Sequence, residues 1–223
     1  MGERLMGLAD QVRPSVPKDI VKELGPAGVA CLLQIMADAY LDLKARRWVR
    51  MDSSEDSITE EWYVYVLERW KQTPAISCFP IHQKQDTTRA KTRGRPPTVD
   101  FCFRDCFDAC SYFGAECKLL DGGNETHLAA YLDRRKGIGR LLDGRYSAAS
   151  SAGAMVGYVR TGECETVAAS LKQAMTMLEE TPSLQRSALL SRLYHLYESR
   201  HNRPSPLRKF LCYHFLLGFE ASN

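Results

Sequence analysis

The sequence predicts an α/β or α+β fold, in which a mixed β-sheet is flanked by helices and preceded by a helical annex. Three observations predict it. Apolar residues recur at helical spacing through much of residues 1–50. Short segments rich in aromatic and β-branched residues then alternate with helical patterns. Turn signals rich in Gly and Pro separate these segments. We therefore expect an annex over residues 1–50 and one domain over residues 51–223.

The annex is expected to contain two helices. Ser15 can cap the first helix, Pro17 lies near its first turn, and Gly25-Pro26 ends it. The second helix is predicted from about Ala27 to Trp48, where apolar residues follow helical spacing. This pattern indicates a packing role and no site of its own.

The remaining chain alternates helices and strands after a polar linker over residues 51–57. Strands are predicted at about 75–81, 98–104, 111–120 and 154–160, with a less regular one at 191–201. Helices are predicted at about 58–71, 126–135, 138–143 and 163–180, and the apolar, aromatic segment 207–219 is also predicted to be helical. This order indicates a mixed sheet.

Length and composition are typical of a globular protein with a sizeable core. The chain has 223 residues, 44% of them hydrophobic and 26% charged. Its net charge of +3 does not by itself indicate a nucleic-acid partner. The N-terminus does not resemble a signal peptide, and no apolar run approaches the ~20 residues that span a bilayer. We expect a cytoplasmic protein with reduced cysteines and no membrane partner.

A candidate catalytic group lies on two predicted strands. Glu116 and Lys118 project from the same face of one strand because they are two residues apart. Asp100 lies on the preceding strand, and pairing of the two strands can bring its carboxylate beside them. Two adjacent carboxylates attract a cation, and their oxygen atoms suit Mg²⁺ or Mn²⁺. The lysine can orient water or stabilise charge on a phosphate.

The same residues also fit a simpler interpretation. A Glu-x-Lys pair downstream of an aspartate occurs by chance in many chains, and a surface ion pair on an edge strand is equally consistent with it. Asp42-x-Lys44 is a similar pair, but it lies on a predicted helix, where such residues diverge.

The arrangement resembles the PD-(D/E)XK superfamily, the restriction-endonuclease-like nucleases. Its core is a helix, strands that carry the aspartate and the Glu-x-Lys, a helix and a further strand. The chain offers these parts in this order over residues 58 to about 180. The proline that usually precedes the aspartate is displaced, since Pro97 stands three residues ahead of Asp100. The resemblance implies a restriction-endonuclease-like core with Mg²⁺ or Mn²⁺ held by Asp100 and Glu116.

Many members of this superfamily add a glutamate from the first helix to the metal site. Here Glu60 and Glu61 are the candidates. We favour Glu60 because it borders the apolar side of the helix near Tyr63 and Leu67. Acids placed near a helix N-terminus for the helix dipole are an equally good explanation.

Further blocks resemble predicted nucleases of prokaryotic defence systems. They are Lys136-Gly-Ile-Gly-Arg-Leu-Leu-Asp-Gly-Arg-Tyr, Met155-Val-Gly-Tyr-Val, Tyr197-Glu-Ser-Arg-His and Tyr213-His-Phe-Leu-Leu-Gly-Phe. Ser199, His201 and His214 in these blocks are candidates for lining the cleft. Histidines with a purely structural role are the alternative.

Two clusters of basic residues flank the candidate strands and are expected to bind phosphates of a nucleic acid. A solvated loop is the alternative for the first cluster. The first comprises Lys84, Arg89, Lys91, Arg93 and Arg95, and the second includes Arg135, Lys136 and Arg140.

Three cysteines are spaced Cys-x3-Cys-x3-Cys, at Cys102, Cys106 and Cys110. The Cys-x2-Cys pairs of zinc sites are absent from the sequence, so we interpret these cysteines as buried small hydrophobic residues.

The sequence therefore predicts a divalent-metal-dependent endonuclease that hydrolyses phosphodiester bonds of DNA, the nuclease subunit of an antiviral defence system. Two alternatives stay open. One is an inactive subunit with this fold that binds DNA or a helicase-like or regulatory protein partner. The other is a nuclease that cleaves RNA, because metal-assisted hydrolysis serves both substrates.

Overall fold

The computed structural model describes residues 18–73, 76–85, 98–108, 110–178, 182–190 and 195–219. Within these residues, helices pack on a sheet of seven strands. The predicted α/β class with a mixed sheet is thereby confirmed. The predicted start of the first annex helix at Ser15 lies outside the described residues.

The helices are α1 (Ile20–Ala45), α2 (Glu55–Gln72), α3 (Glu125–Leu132), α4 (Gly139–Leu142) and α5 (Cys164–Met175). The strands are β1 (Cys78–Gln85), β2 (Thr98–Asp105), β3 (Tyr112–Leu119), β4 (Ala152–Val159), β5 (Gln185–Arg186), β6 (Leu196–His201) and β7 (Phe210–Gly218).

The sheet has the order β1-β2-β3-β4-β7-β6-β5. The first three strands form an antiparallel meander. β4 runs parallel to both β3 and β7, and β6 and β5 return antiparallel at the far edge. Parallel neighbours need crossover connections, and α3 with α4 provides the one between β3 and β4.

Apolar side chains form a core on each face of the sheet. On one face Phe101, Phe113 and Phe215 pack with residues of α1 and α2. On the other face Val99 and Met155 pack with residues of α3, α4 and α5. The strands in the middle of the sheet are therefore buried on both sides.

Helix α1, which forms much of the predicted annex, packs into the core, as its apolar pattern indicated. Leu32, Leu33 and Met36 are fully buried in the same cluster as the sheet residues. The predicted break at Gly25-Pro26 is a kink, since Gly25 has φ 64° inside an otherwise continuous helix.

The same helix also bears on the prediction that nothing spans a membrane. Among the described residues, α1 is long and apolar enough to span a membrane by length and composition. Of its apolar 18-residue stretch, 39% is buried in the fold. Its contacts include the indole of Trp62, which donates to the Met36 carbonyl, and the hydroxyl of Tyr40, which donates to the Gly218 carbonyl. A core helix of a soluble protein can have the same length and composition, and the contacts of Met36 and Tyr40 are those of a helix packed in a core.

The predicted C-terminal helix over 207–219 is wrong, because Phe210–Gly218 is strand β7. This strand lies between β4 and β6, with Tyr213 in one core and Cys212 in the other. A strand buried on both faces has apolar residues at nearly every position, so its sequence does not alternate.

Candidate functional site

The structure brings Asp100, Glu116 and Lys118 together. The Lys118 Nζ atom lies 3.0 Å from Glu116 Oε1 and 3.8 Å from Asp100 Oδ2. The Asp100 Oδ2 atom also accepts a hydrogen bond of 2.8 Å from the backbone N–H of Cys117. The ammonium group thus bridges the two carboxylates that the sequence analysis singled out.

Strand pairing explains this convergence. The register pairs Phe101 of β2 with Ala115 of β3, so Asp100 and Glu116 are the next residues along the two strands. Side chains two residues apart on a strand normally lie on the same face of the sheet. In β2, however, Val99 lies in the core on one face and Phe101 in the core on the other, so the regular alternation of side chains is interrupted at Asp100. Across from Asp100, Gln83 of β1 has a left-handed backbone with φ 50°. Such irregularities often re-aim a side chain beside a functional site.

A third carboxylate comes from Glu55, in the first turn of α2. Its Oε1 atom lies 2.8 Å from Lys118 Nζ, and its Oε2 atom accepts from the backbone N–H of Leu119 at 3.1 Å. The sequence analysis missed it because it began this helix at Ile58. Ser54, whose side chain accepts from the Ser57 N–H, is the N-cap and places Glu55 inside the helix.

The start of α2 is itself tied to the sheet. Arg160, just after β4, donates to the carbonyls of Met51 and Ser53 at 2.7 and 2.9 Å. Its guanidinium is paired with Asp121 at 2.5 Å. Burial would raise the pKa of Asp121, but the bonds from Arg160 outweigh it and lower that pKa. This charged pair fixes the segment that positions Glu55.

Arg140 of α4 closes the site from the other side. Its Nη1 atom lies 3.0 Å from Glu116 Oε1 and donates to the Tyr146 hydroxyl at 2.7 Å. That hydroxyl in turn donates to the Thr98 carbonyl of β2. Glu116 is therefore paired with two cations, one from its own strand and one from α4.

The pKa values of the ionisable groups in the site are shifted from their ordinary values. Glu116 is fully buried, and burial together with the neighbouring Asp100 charge raises its pKa above the ordinary value, while the contacts with Lys118 and Arg140 act in the opposite direction and favour the charged form. Burial also raises the pKa of Asp100. Burial would lower the pKa of Lys118, but Glu116, Asp100 and Glu55 raise it overall. Lys118 is accordingly a cation at neutral pH and unsuited to act as a base.

Within the site, one buried carboxylate oxygen has no hydrogen-bond partner among the described residues. It is Glu116 Oε2, in a side chain that is fully inaccessible. An unpartnered buried carboxylate oxygen is costly unless something binds it. It lies in a site where hard oxygen donors converge on one ammonium group, and such donors suit Mg²⁺ or Mn²⁺.

The carboxylate oxygens of Asp100 and Glu116 are of the type that binds a divalent metal ion. Among the described residues, no group of three or more His, Cys, Asp or Glu side chains is arranged to hold a metal ion. Mg²⁺ is commonly bound by one or two carboxylates together with waters and substrate phosphates. Asp100 and Glu116 offer two carboxylates of the type that this mode uses.

The other predicted ligand, Glu60, lies apart from this group. Its side chain is exposed, and within the described residues it has no hydrogen bond or ion pair with Asp100, Glu116 or Lys118. Glu55 and Glu60 are five residues apart on a helix with 3.6 residues per turn, so they occupy different faces. Glu55 shares its face with the buried Thr59.

The predicted phosphate-binding residues are distributed around the site. Arg135 and Lys136 are exposed in the α3–α4 connection, whereas Arg140 is engaged with Glu116. The Nζ atom of Lys84 lies 3.7 Å from the centre of the Tyr112 ring. Arg89, Lys91, Arg93 and Arg95 lie outside the described residues.

Ser199, His201 and His214 are close together but belong to a separate buried network. The Ser199 Oγ atom lies 2.7 Å from the Nε2 atom of each histidine, and the Tyr131 hydroxyl lies 3.0 Å from His214 Nδ1. Burial lowers the pKa of His201 to about 4 and, with the nearby His201, that of His214 to about 3. Both imidazoles are therefore neutral near pH 7.

The three spaced cysteines have different environments. Cys102 is buried, Cys110 is partly buried and Cys106 is exposed, and all are free thiols. The interpretation as buried hydrophobic residues thus describes Cys102 and does not describe Cys106.

Comparison with protein-family models, with curated proteins and with solved structures finds no significant match to this chain. The functional assignment therefore depends on the geometry of the site and on the motif that led to it.

Proposed function

We propose that this protein is a divalent-metal-dependent nuclease that hydrolyses phosphodiester bonds of DNA at Asp100, Glu116 and Lys118. The observation that carries the proposal is that two carboxylates and a lysine from paired strands meet at one point. One oxygen of these carboxylates, Glu116 Oε2, is buried and has no hydrogen-bond partner among the described residues. Perturbed, clustered titratable groups of this kind are typical of functional sites. The order of α2, the strands that carry Asp100 and Glu116, α3 and β4 also supports the proposal, because the resemblance implies a helix, such strands, a helix and a further strand.

Asp100 and Glu116 would hold Mg²⁺ or Mn²⁺, and Glu55, which is paired with Lys118 at 2.8 Å, would hold the lysine in place. When bound, the ion polarises the phosphodiester and stabilises the leaving oxygen. Negative charge from the carboxylates keeps Lys118 protonated. Lys118 therefore acts as a hydrogen-bond donor that orients the attacking water and stabilises charge developing on the phosphate.

Cations around the site would bind the flanking phosphates. Arg135 and Lys136 are exposed in the segment that leads into α4. Arg140, on that helix, reaches Glu116 itself, so it can exchange the carboxylate for a substrate phosphate. Phosphate contacts fix position and carry no sequence information, so we propose no recognition sequence.

The proposal is tested by cleavage of plasmid and linear DNA and of a matched RNA, with Mg²⁺ or Mn²⁺. We expect the wild-type chain to cleave DNA, and Asp100→Ala and Lys118→Ala each to reduce the rate about 100-fold or more. Asp56→Ala, which removes an exposed acid on α2, is the control and should cleave like wild type. Unchanged cleavage by the two site variants would refute the assignment, and preferential cleavage of RNA would change the substrate.

A second candidate is a nuclease-like subunit that binds nucleic acid without cutting it. The observation that favours it is the neutralisation of Glu116 by Lys118 and Arg140, together with the lack of a three-ligand metal group among the described residues. It predicts DNA binding with no cleavage in any divalent metal. Participation in antiviral defence, a helicase-like or regulatory protein partner and a cytoplasmic location remain proposals that rest on the sequence.

A further inference from the structure

The segment that joins α1 to α2 carries exposed cations and an exposed aromatic ring. Arg46, Arg47 and Arg50 are all exposed, and within the described residues no ion pair joins any of them to an acid. Between them lies Trp48, which is 41% exposed. We refer to these four residues as the arginine–tryptophan patch. The patch offers guanidinium groups and a large π-face on one short stretch of chain.

The end of helix α1 does not account for this concentration of charge. Cations in the last turn of a helix are stabilised by its dipole, and Lys44 has that position in α1. Arg47 and Arg50 lie beyond Ala45, the last residue of the helix. Arg47 has a left-handed backbone with φ 52°, which is uncommon for a residue other than glycine. The helix dipole can therefore explain Arg46 at most.

Trp48 differs from the other two tryptophans of the chain. The indole N–H of Trp62 donates to the Met36 carbonyl, and that of Trp70 donates to the Cys78 carbonyl. Among the described residues, the indole of Trp48 has no such partner. An exposed indole beside cations is typical of a binding surface, because its large rigid ring offers much contact area.

The patch is fixed next to the candidate catalytic site. Val49 is buried and anchors the segment, and the Arg50 N–H donates to Ser53 Oγ at 2.9 Å in a turn that leads to α2. Arg160 donates to the Ser53 carbonyl at 2.9 Å and ties this turn to the sheet. Glu55, which contacts the site, follows two residues later. The five residues from Arg50 to Glu55 span at most about 18 Å even when fully extended.

We propose that the arginine–tryptophan patch binds a single-stranded segment of nucleic acid, with an unpaired base stacked on Trp48 and neighbouring phosphates on the three arginines. Proteins that bind single strands combine cations along the backbone with aromatic rings on which bases stack. Guanidinium groups suit phosphate because they can donate two parallel hydrogen bonds to it. The choice of nucleic acid over another polyanion rests on the proposed function, since the patch adjoins the candidate nuclease site.

The role of the aromatic ring is tested by fluorescence anisotropy of labelled oligothymidine and of a blunt duplex, both in EDTA. We expect Trp48→Ala to weaken binding of the full chain to oligothymidine at least fivefold and to the duplex less than twofold. The reason is that only an unpaired base can stack on the ring. Trp48→Phe keeps an aromatic ring and should bind oligothymidine within about threefold of the wild type.

The role of the charges is tested by joint replacement of Arg46, Arg47 and Arg50 with Gln. Affinity for oligothymidine should fall at least tenfold. The slope of log affinity against log salt should become shallower by about 2, roughly 0.7 for each phosphate contact. A control variant removes the same charge elsewhere and should weaken binding less than threefold. It replaces three exposed lysines with Gln, namely Lys71, Lys172 and Lys209.

Three results would overturn the inference. Equal losses in the arginine variant and the lysine variant would show that only net charge matters. Unchanged affinity of Trp48→Ala for oligothymidine would show that no base stacks on the ring. Vesicles of phosphatidylserine and phosphatidylcholine provide the third comparison. Patch-dependent binding to these vesicles, without binding to oligothymidine, would assign the patch to a membrane surface instead.

The outcome is separable from that of the proposed function, because binding is measured without metal and does not depend on cleavage. Normal cleavage of DNA, with oligothymidine binding that is insensitive to the patch variants, would overturn this inference alone. Patch-dependent binding without cleavage in Mg²⁺ or Mn²⁺ would support this inference and count against the nuclease alone.

Discussion

At the scale of single residues, the chemistry of the candidate site is determined by Lys118. Its ammonium group contacts carboxylates from three elements, namely Glu55 of α2, Asp100 of β2 and Glu116 of β3. A buried charge is tolerated only when it is paired, and Glu116, the fully buried one of the three, therefore depends on this lysine and on Arg140. A metal ion that bound Asp100 and Glu116 would take over part of the role that the lysine now has.

The contribution of α2 to the site can be decided by a matched pair of substitutions. Glu55→Gln removes the carboxylate that contacts Lys118, whereas Glu60→Gln alters the exposed residue that the sequence favoured. We expect Glu55→Gln to lower the cleavage rate at least tenfold and Glu60→Gln to leave it within twofold, measured with Mg²⁺ on linear DNA. The reverse ranking would restore Glu60 as the ligand.

The buried histidines predict a loss of stability in mild acid. The pKa of His201 is lowered to about 4 and that of His214 to about 3, from 6.5. Below pH 6.5 the unfolded chain binds protons that the folded chain excludes, so stability is present above pH 6.5 and falls as the pH drops toward 4. For one such histidine, the free energy of unfolding falls by up to about 1.4 kcal/mol for each pH unit in this range.

Urea unfolding between pH 7 and pH 5 measures this effect. His201→Gln should make the decrease shallower, since one of the two titrating groups is gone. Leu41→Ala, at an exposed leucine of α1 that does not titrate, should keep the wild-type slope. The same decrease in His201→Gln as in the wild type would contradict the prediction.

At the scale of elements, the arrangement of α1 and α2 over one face of the sheet positions the acid Glu55. The sequence predicted an annex over residues 1–50 whose apolar pattern indicates a packing role. In the structure its apolar stripe is shared with α2 and with the strands. The site therefore depends on a helix that contributes no residue to it.

Two leucines of α1 test this dependence. Leu33 is fully buried, whereas Leu41 is 42% exposed. We expect Leu33→Ala to lower the free energy of unfolding by about 2–5 kcal/mol through loss of burial and the cavity left behind. Leu41→Ala should change it by about 0.5 kcal/mol or less. Equal effects in chemical denaturation would show that α1 is not packed as described.

At the scale of the whole molecule, charge is arranged locally. The net charge is only +3, yet exposed cations gather in the α3–α4 connection beside the candidate site. Association with nucleic acid would therefore depend on a small surface, and the salt dependence of binding reports how many phosphates it contacts.

Removal of Arg135 and Lys136 together should weaken binding to non-specific DNA. If each contacts one phosphate, the slope of log affinity against log salt should become shallower by about 2, roughly 0.9 for each contact. Fluorescence anisotropy over a series of salt concentrations measures the slope, with Lys71→Ala as the control. An unchanged slope in the double variant would place the phosphate-binding surface elsewhere.

The sequence by itself determined the features that depend on local periodicity and on spacing along one strand. The α/β class, most strands, and the shared face of Glu116 and Lys118 belong to this group, because neighbouring residues specify them. The meeting with Asp100 was also predictable, since consecutive strands commonly pair.

Only the tertiary structure decided the features that join distant segments. It decided that Glu55 is the acid from α2, that Arg140 closes on Glu116, and that Ser199 and its histidines lie in a network apart from the site. It also decided that Phe210–Gly218 is a central strand. The physical reason is common to these cases. Burial on both faces removes the alternation that marks a strand, and contacts between residues far apart in sequence leave no periodic signal.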